Sequence, residues 1–190
     1  ISSNFIYDLY SFDSLLFVGT DLGLSTVNIN NNYIKQIDFL KGIEVYNIFE
    51  ISGNLCFHTS TGIYKLKNLF TNSFEIIYSG KNLNLKVINN NEFVVWNSES
   101  KVDRIFYNNN EFQVQLLSYE STQKINDINN FKGAYYISSN SGINKITEDL
   151  RNISNIYDKN EKIVAVKEND FFRVLLTEKN ILVYEEEEII

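Results

Sequence analysis

The chain has no proline and no methionine, and only one cysteine, one histidine and one tryptophan in 190 residues. Each shortage closes a door. With Cys56 alone, no internal disulfide can form, and the redox compartment stays unreadable. With His58 as the single imidazole beside that single thiol, a zinc-type site lacks its remaining ligands. A serine-type triad would have to use His58 as base, yet no nucleophile-elbow motif accompanies it. Cys56 and His58 stand two apart, on one face of a strand, and are expected as a packed core pair. No metal and no cofactor is therefore expected. No apolar run approaches the ~18 residues of a membrane span, and no signal-peptide pattern is present. The absence of an initial Met leads us to expect a processed or trimmed chain whose address label is gone. A basic excess is also lacking: the net charge is −7, which argues against a nucleic-acid backbone as partner.

What the chain does have is repetition. The stretch from Leu15 to Asn28, LLFVGTDLGLSTVN, reads as strand, tight turn and strand, with Gly23 closing the turn. The phrase returns with its glycine slot at Gly62, Lys101, Gly142 and Asn180, at intervals of 39, 39, 41 and 38 residues. A period of that length marks a repeat architecture. Three positions before the slot stand Thr20, Thr59, Ser98, Ser139 and Thr177, always a hydroxyl. Five positions before it stand Val18, Phe57, Trp96, Ile137 and Leu175, always apolar, which makes Trp96 a core residue rather than a sugar platform. Gly and Asn accept the positive φ that a tight hairpin needs; Lys101 departs from the rule, so the third turn is expected to differ.

Abundant Phe, Tyr, Ile and Val favour strands. Short Asn-rich clusters fall between them and are read as turns, because Asn tolerates left-handed φ and bonds its own backbone. An AT-rich genome would account for much of the Asn, Ile, Lys, Phe and Tyr. Each repeat divides into four short strands. The first runs Phe5–Tyr10, Leu15–Thr20, Leu24–Asn28 and Tyr33–Phe39; in the fourth, Asn129-Asn130 is expected as the first turn. Four antiparallel strands repeated five times predict an all-β fold, a β-propeller of about five blades with a repeat of ~39 residues. The blades are expected at 5–39, 44–78, 83–118, 123–157 and 162–190, as a single domain over 1–190. The last blade is short of its outer strand, so the chain either closes as five blades or belongs to a longer propeller. No helical period and no linker is evident.

Two sets of positions are candidates for binding. Fifteen residues before the glycine slot stand Asp8, Asn47, Lys86, Asp127 and Ala165, in the first strand of each blade. First strands line a propeller's channel, so this polar column is expected to face it. A glycosidase would place carboxylates there as acid and base or nucleophile; only Asp8 and Asp127 are in register. The second set is the turn between second and third strands, with Asp21, Thr61, Glu99, Asn140 and Lys179, joined by Lys41, Lys81, Asp158 and Lys159 from the connections. Both charges and hydroxyls there would suit a polar ligand or a protein.

The residues Leu15-Leu16-Phe17-Val18-Gly19-Thr20-Asp21-Leu22-Gly23-Leu24 resemble the core of the two-component-regulator propeller repeat. Weaker copies are Phe57–Ile63 and Ile137–Ile143. The resemblance implies a bacterial, extracytoplasmic binding or sensing module without catalytic residues, like carbohydrate sensors and secretion-system components. The expectation is thus a non-enzymatic propeller mediating protein–protein or glycan recognition, at the periplasm, cell surface or outside. The alternatives are a channel-sited glycoside hydrolase using Asp8 and Asp127, and a structural part of a larger assembly.

Overall fold

The computed structural model describes residues 3–97, 101–117, 119, 124–147, 153–157, 162–168, 172–185 and 188–189. It is all β, with one 3₁₀ turn among the described residues. Five antiparallel sheets of four strands follow one another along the chain. The first holds β1 (Ile6–Phe12), β2 (Leu15–Thr20), β3 (Gly23–Asn28) and β4 (Ile34–Gln36); the second holds β5 (Val45–Ile51), β6 (Asn54–Thr59), β7 (Gly62–Asn68) and β8 (Ser73–Ser79). The third holds β9 (Asn84–Asn89), β10 (Glu92–Trp96), β11 (Val102–Asn108) and β12 (Glu111–Leu117). The fourth holds β13 (Ile125–Phe131), β14 (Ala134–Ser139), β15 (Gly142–Ile146) and β16 (Ile153–Tyr157). The fifth holds β17 (Ile163–Glu168), β18 (Phe172–Thr177), β19 (Ile181–Glu185) and β20 (Glu188–Ile189). In every sheet the strands pair in chain order, a simple meander.

The chain forms two compact units. The first contains the first two sheets together with 89–91 and 107–112; the second contains the remainder of the third sheet and the last two. In the first unit Phe17, Leu24, Leu40, Val45, Ile48 and Phe57 form the core between the two sheets. Phe57 meets Phe17 at 6.0 Å and Phe74 at 5.6 Å, both tilted toward edge contact. Each fully buried ring of this kind contributes about 2–3 kcal/mol of transfer free energy. In the second unit Trp96, Val102, Leu117, Ile128, Tyr135 and Ile137 fill one core, and Tyr136, Ile143, Val166 and Leu175 another. Trp96 is thus buried among aliphatic side chains, as its column predicts.

The hydroxyl column has a physical cause. Thr20 Oγ1 donates to Gly23 O at 2.8 Å and accepts from Leu22 N at 3.2 Å. Thr59 does the same with Gly62 O at 2.9 Å and Thr61 N at 3.2 Å. Ser139 closes on Gly142 O at 3.2 Å and Thr177 on Asn180 O at 3.2 Å. The side chain adds a second bond to the carbonyl that closes the hairpin and, in Thr20, Thr59, Ser139 and Thr177, accepts from a turn N–H. The glycine slot is equally constrained: Gly62 sits at φ +147°, and a Cβ there would lie 2.3 Å from Tyr78 O. Ser98, beside Lys101, lies outside the described residues.

Two expectations need correction. The outer strand of the first sheet is only Ile34–Gln36, and Asp38–Leu40 forms a 3₁₀ turn that buries Leu40 completely. Asn129-Asn130 is not a turn; both residues lie in β13, paired with Tyr136 and Tyr135. The turn falls at Lys132-Gly133, with φ of +47° and +77°, values that the two-residue hairpin turn with both φ positive requires.

Candidate functional site

The polar column sits beside a repeated irregularity of the inner strands. Pairing slips by one residue between Ile6 and Asp8 in β1, Val45 and Asn47 in β5, Ile125 and Asp127 in β13, and Ile163 and Ala165 in β17. A bulge re-aims the side chain beside it and turns the strand. Here Asp8 and Asp127, each beside such a bulge, meet partners beyond their own sheets.

In the first unit, Asp8 accepts from Leu9 N at 2.9 Å through Oδ1 and from Ile48 N at 2.6 Å through Oδ2. One carboxylate thus ties β1 to β5. Asn47 Oδ1 meets His58 Nδ1 at 3.2 Å. In the second unit, Lys86 Nζ donates to Asp127 Oδ1 and to Asn129 Oδ1, both at 2.7 Å. Asp127 also accepts from Ile128 N at 2.9 Å and from Asn129 Nδ2 at 2.9 Å. Asn129 Nδ2 goes on to Val166 O in β17, and Asn126 Nδ2 donates to Ile163 O at 2.7 Å. Asp8 and Lys86 therefore join the first strands of consecutive sheets, and Asn126 and Asn129 do the same between β13 and β17. Hydrogen bonds to an ionised group contribute about 1.5–3 kcal/mol.

Among the turn residues, Thr61 Oγ1 bonds Tyr64 Oη at 3.0 Å. Asn140 Oδ1 accepts from Asn126 Nδ2 at 3.0 Å. Lys179 N donates to Thr177 Oγ1 at 3.2 Å, and its side chain is exposed. Asp21 Oδ1 is buried without a hydrogen-bond partner among the described residues. Asp8, Asn47, Asp21 and Thr61 belong to the first unit, and Lys86, Asp127, Asn140 and Lys179 to the second. Lys41 and Lys81 are exposed; Glu99, Asp158 and Lys159 lie outside the described residues.

A ledge of aromatic and acidic groups stands beside the polar column of the first unit. Tyr7 and Tyr46 are the bulged residues of β1 and β5; their rings meet edge-on at 5.5 Å. Tyr46 in turn meets His58 at 5.4 Å, and its hydroxyl donates to Glu44 Oε2 at 2.6 Å. That bond to a carboxylate, with burial added, pushes the Tyr46 pKa up to about 12. Burial pushes His58 down to about 4, against a weaker opposite pull from the Leu83 backbone, so its ring is neutral at pH 7. The signal for the ledge is the repetition of Tyr one place before Asp8 and Asn47. Cys56 and His58 are both buried, and no group of metal-ligating side chains occurs among the described residues. In the second unit, buried Glu92 accepts from Arg104 Nη2 at 2.8 Å and from the Tyr135 hydroxyl, a network that no repeat position announces.

No family profile matches the chain, and no curated protein matches it in sequence. Solved structures do match. The extracellular domain of BT4673 from B. thetaiotaomicron, assigned as a one component system, superposes with a TM-score of 0.70 over 96% of this chain, at 17% identity. The extracellular domain of BT3049 from the same organism, assigned as a hybrid two component system, gives 0.59 over 100% of this chain at 15% identity. The AfRom2 CNH domain gives 0.70 over 98% of this chain and 72% of its own length, at 10% identity. This chain spans 28% of the BT4673 domain and 29% of the BT3049 domain. No helix among the described residues is long and apolar enough to cross a membrane. The serial four-stranded meanders and these likenesses make the fold a β-propeller.

Proposed function

We propose that this chain is a non-enzymatic propeller module that recognises a protein or a glycan outside the cytoplasm. The observation that carries the reading is the use of the inner-strand carboxylates. Both oxygens of Asp8 accept backbone N–H groups, and Asp127 is held by Lys86, Asn129 and Ile128. An acid–base pair needs a carboxyl within reach of substrate and open to proton exchange. Groups engaged in joining strands suit structure better. Recognition would then fall to the turns between second and third strands: Asp21 and Thr61 in the first unit, Asn140 and Lys179 in the second. The likeness to extracellular sensor domains supports the address and the class. The short coverage of those domains supports a role as one part of a larger protein.

Two measurements test this reading. Immobilised chain is probed with soluble polysaccharides and their oligomers, and by cross-linking to proteins of the source organism. Binding that falls in the Asp21→Ala, Thr61→Ala double variant is expected. Separately, release of nitrophenol from a panel of aryl glycosides is assayed. Turnover that disappears in Asp8→Asn while the variant stays folded would overturn the non-enzymatic reading.

A further inference from the structure

The first unit contains a cavity of about 590 Å³ that the turn-face reading does not use. It opens at the end where Phe12 leads into the β1–β2 turn, away from Asp21 and Thr61. Its floor is apolar, built from Phe12, Leu15, Phe17, Leu66 and Leu69. That size is in the range of pockets that hold small ligands. Phe70 stands at the rim, 93% exposed. Its loop is held in shape by Asn68 Oδ1, which accepts from Phe70 N at 2.8 Å and Thr71 N at 3.0 Å.

Two charges line the rim, Asp13 and Lys35. Neither is in an ion pair among the described residues; Lys35 Nζ makes one long contact, 3.4 Å, to Asn72 Oδ1. The charges stand on opposite sides. Asp13 is in the turn joining β1 and β2, whereas Lys35 is in β4, and Lys35 pairs with Thr26, which pairs with Phe17. At about 4.8 Å per strand, two to three strand spacings separate them across the sheet, and about three residues at ~3.3 Å each separate them along it, so their backbones are on the order of 15 Å apart.

We infer that this groove binds a short apolar peptide with free ends, its ammonium at Asp13 and its carboxylate at Lys35. An extended chain spans about 3.3–3.6 Å per residue, so about four residues match the gap. An anionic amphiphile would satisfy Lys35 but leave Asp13 without a counter-charge, and a cationic one would do the reverse. Only a ligand with one charge of each sign at its two ends satisfies both.

The test is calorimetric titration of the whole chain with the tetrapeptide Ala-Leu-Phe-Ala in four forms: free, N-acetylated, C-amidated and doubly capped. Each cap is expected to weaken binding about fivefold, the size of a partly exposed ion pair. Asp13→Asn, which suits the φ of +53° at that site, is expected to erase the effect of acetylation alone. Lys35→Ala is expected to erase the effect of amidation alone. Equal affinity for all four forms would overturn the inference, as would absence of binding by the free form up to about 1 mM. Octanoate binding that depends on Lys35 and ignores Asp13 would overturn it in favour of an anionic amphiphile. Because none of these variants touches Asp21 or Thr61, a failure here leaves the turn-face reading standing.

Discussion

Replacing Gly62 by alanine tests the structural basis of the repeat. Gly62 has φ +147°, a region that residues with a Cβ rarely enter, at a cost of about 1–3 kcal/mol. The new methyl carbon would lie 2.3 Å from Tyr78 O, a backbone atom of β8 that cannot swing aside like a side chain. Moving a paired strand to make room adds about 1–3 kcal/mol, by analogy with overpacking in cores. Gly53 is the internal control: φ is +76°, and a Cβ there would meet nothing within 4 Å. Gly53→Ala should therefore cost about 1–2 kcal/mol, the left-handed conformation alone. The reporter is Cys56 in β6, fully buried, with burial pushing its thiol up to about 12. It reacts with a thiol reagent only after the strand opens, so the labelling rate follows the local opening equilibrium. Gly62→Ala should label on the order of tenfold or more faster than Gly53→Ala, with far-UV circular dichroism confirming that both fold. Equal labelling rates would refute the claim that close approach of β8, rather than φ alone, dictates glycine here.

Two further outcomes follow from the inner strands. Asp8→Ala removes the acceptor of two backbone N–H groups and should lower the unfolding free energy by about 2–3 kcal/mol in urea titration; a loss under about 0.5 kcal/mol would deny the joining role. His58 should make the first unit acid-sensitive. An unfolded imidazole takes up its proton near pH 6.5, whereas the folded ring stays neutral until about 4, so stability falls as pH drops through that window. The full loss approaches about 3 kcal/mol, and His58→Gln should flatten the dependence; an unchanged slope in the variant would place the acid sensitivity elsewhere.

The strand order was legible in the sequence because a meander is a local object. Hydroxyl, glycine and apolar columns recur wherever one chain segment must turn and pair with the next, and the bonds of Thr59 and Gly62 stay within a few residues. The misplaced turn at Asn129-Asn130 shows the limit of that logic. Asn is a turn former by local preference, but the Asn129 amide is drawn into a strand by partners 2 and 37 residues away, Asp127 and Val166. The hairpin falls instead at Lys132-Gly133, where Lys132 takes a positive φ that its side chain does not favour. The identity of the polar column was likewise readable, but its role was not: whether Asp8 faces a ligand or a neighbouring backbone depends on the bulge before it and on the approach of Ile48, 40 residues later. The repeat of Tyr one place before Asp8 and Asn47 was legible, but the meeting of those two rings, the Glu92–Arg104–Tyr135 network and the groove between Asp13 and Lys35 were decided by tertiary structure. Each is assembled by packing one strand or sheet against another, which no local preference dictates.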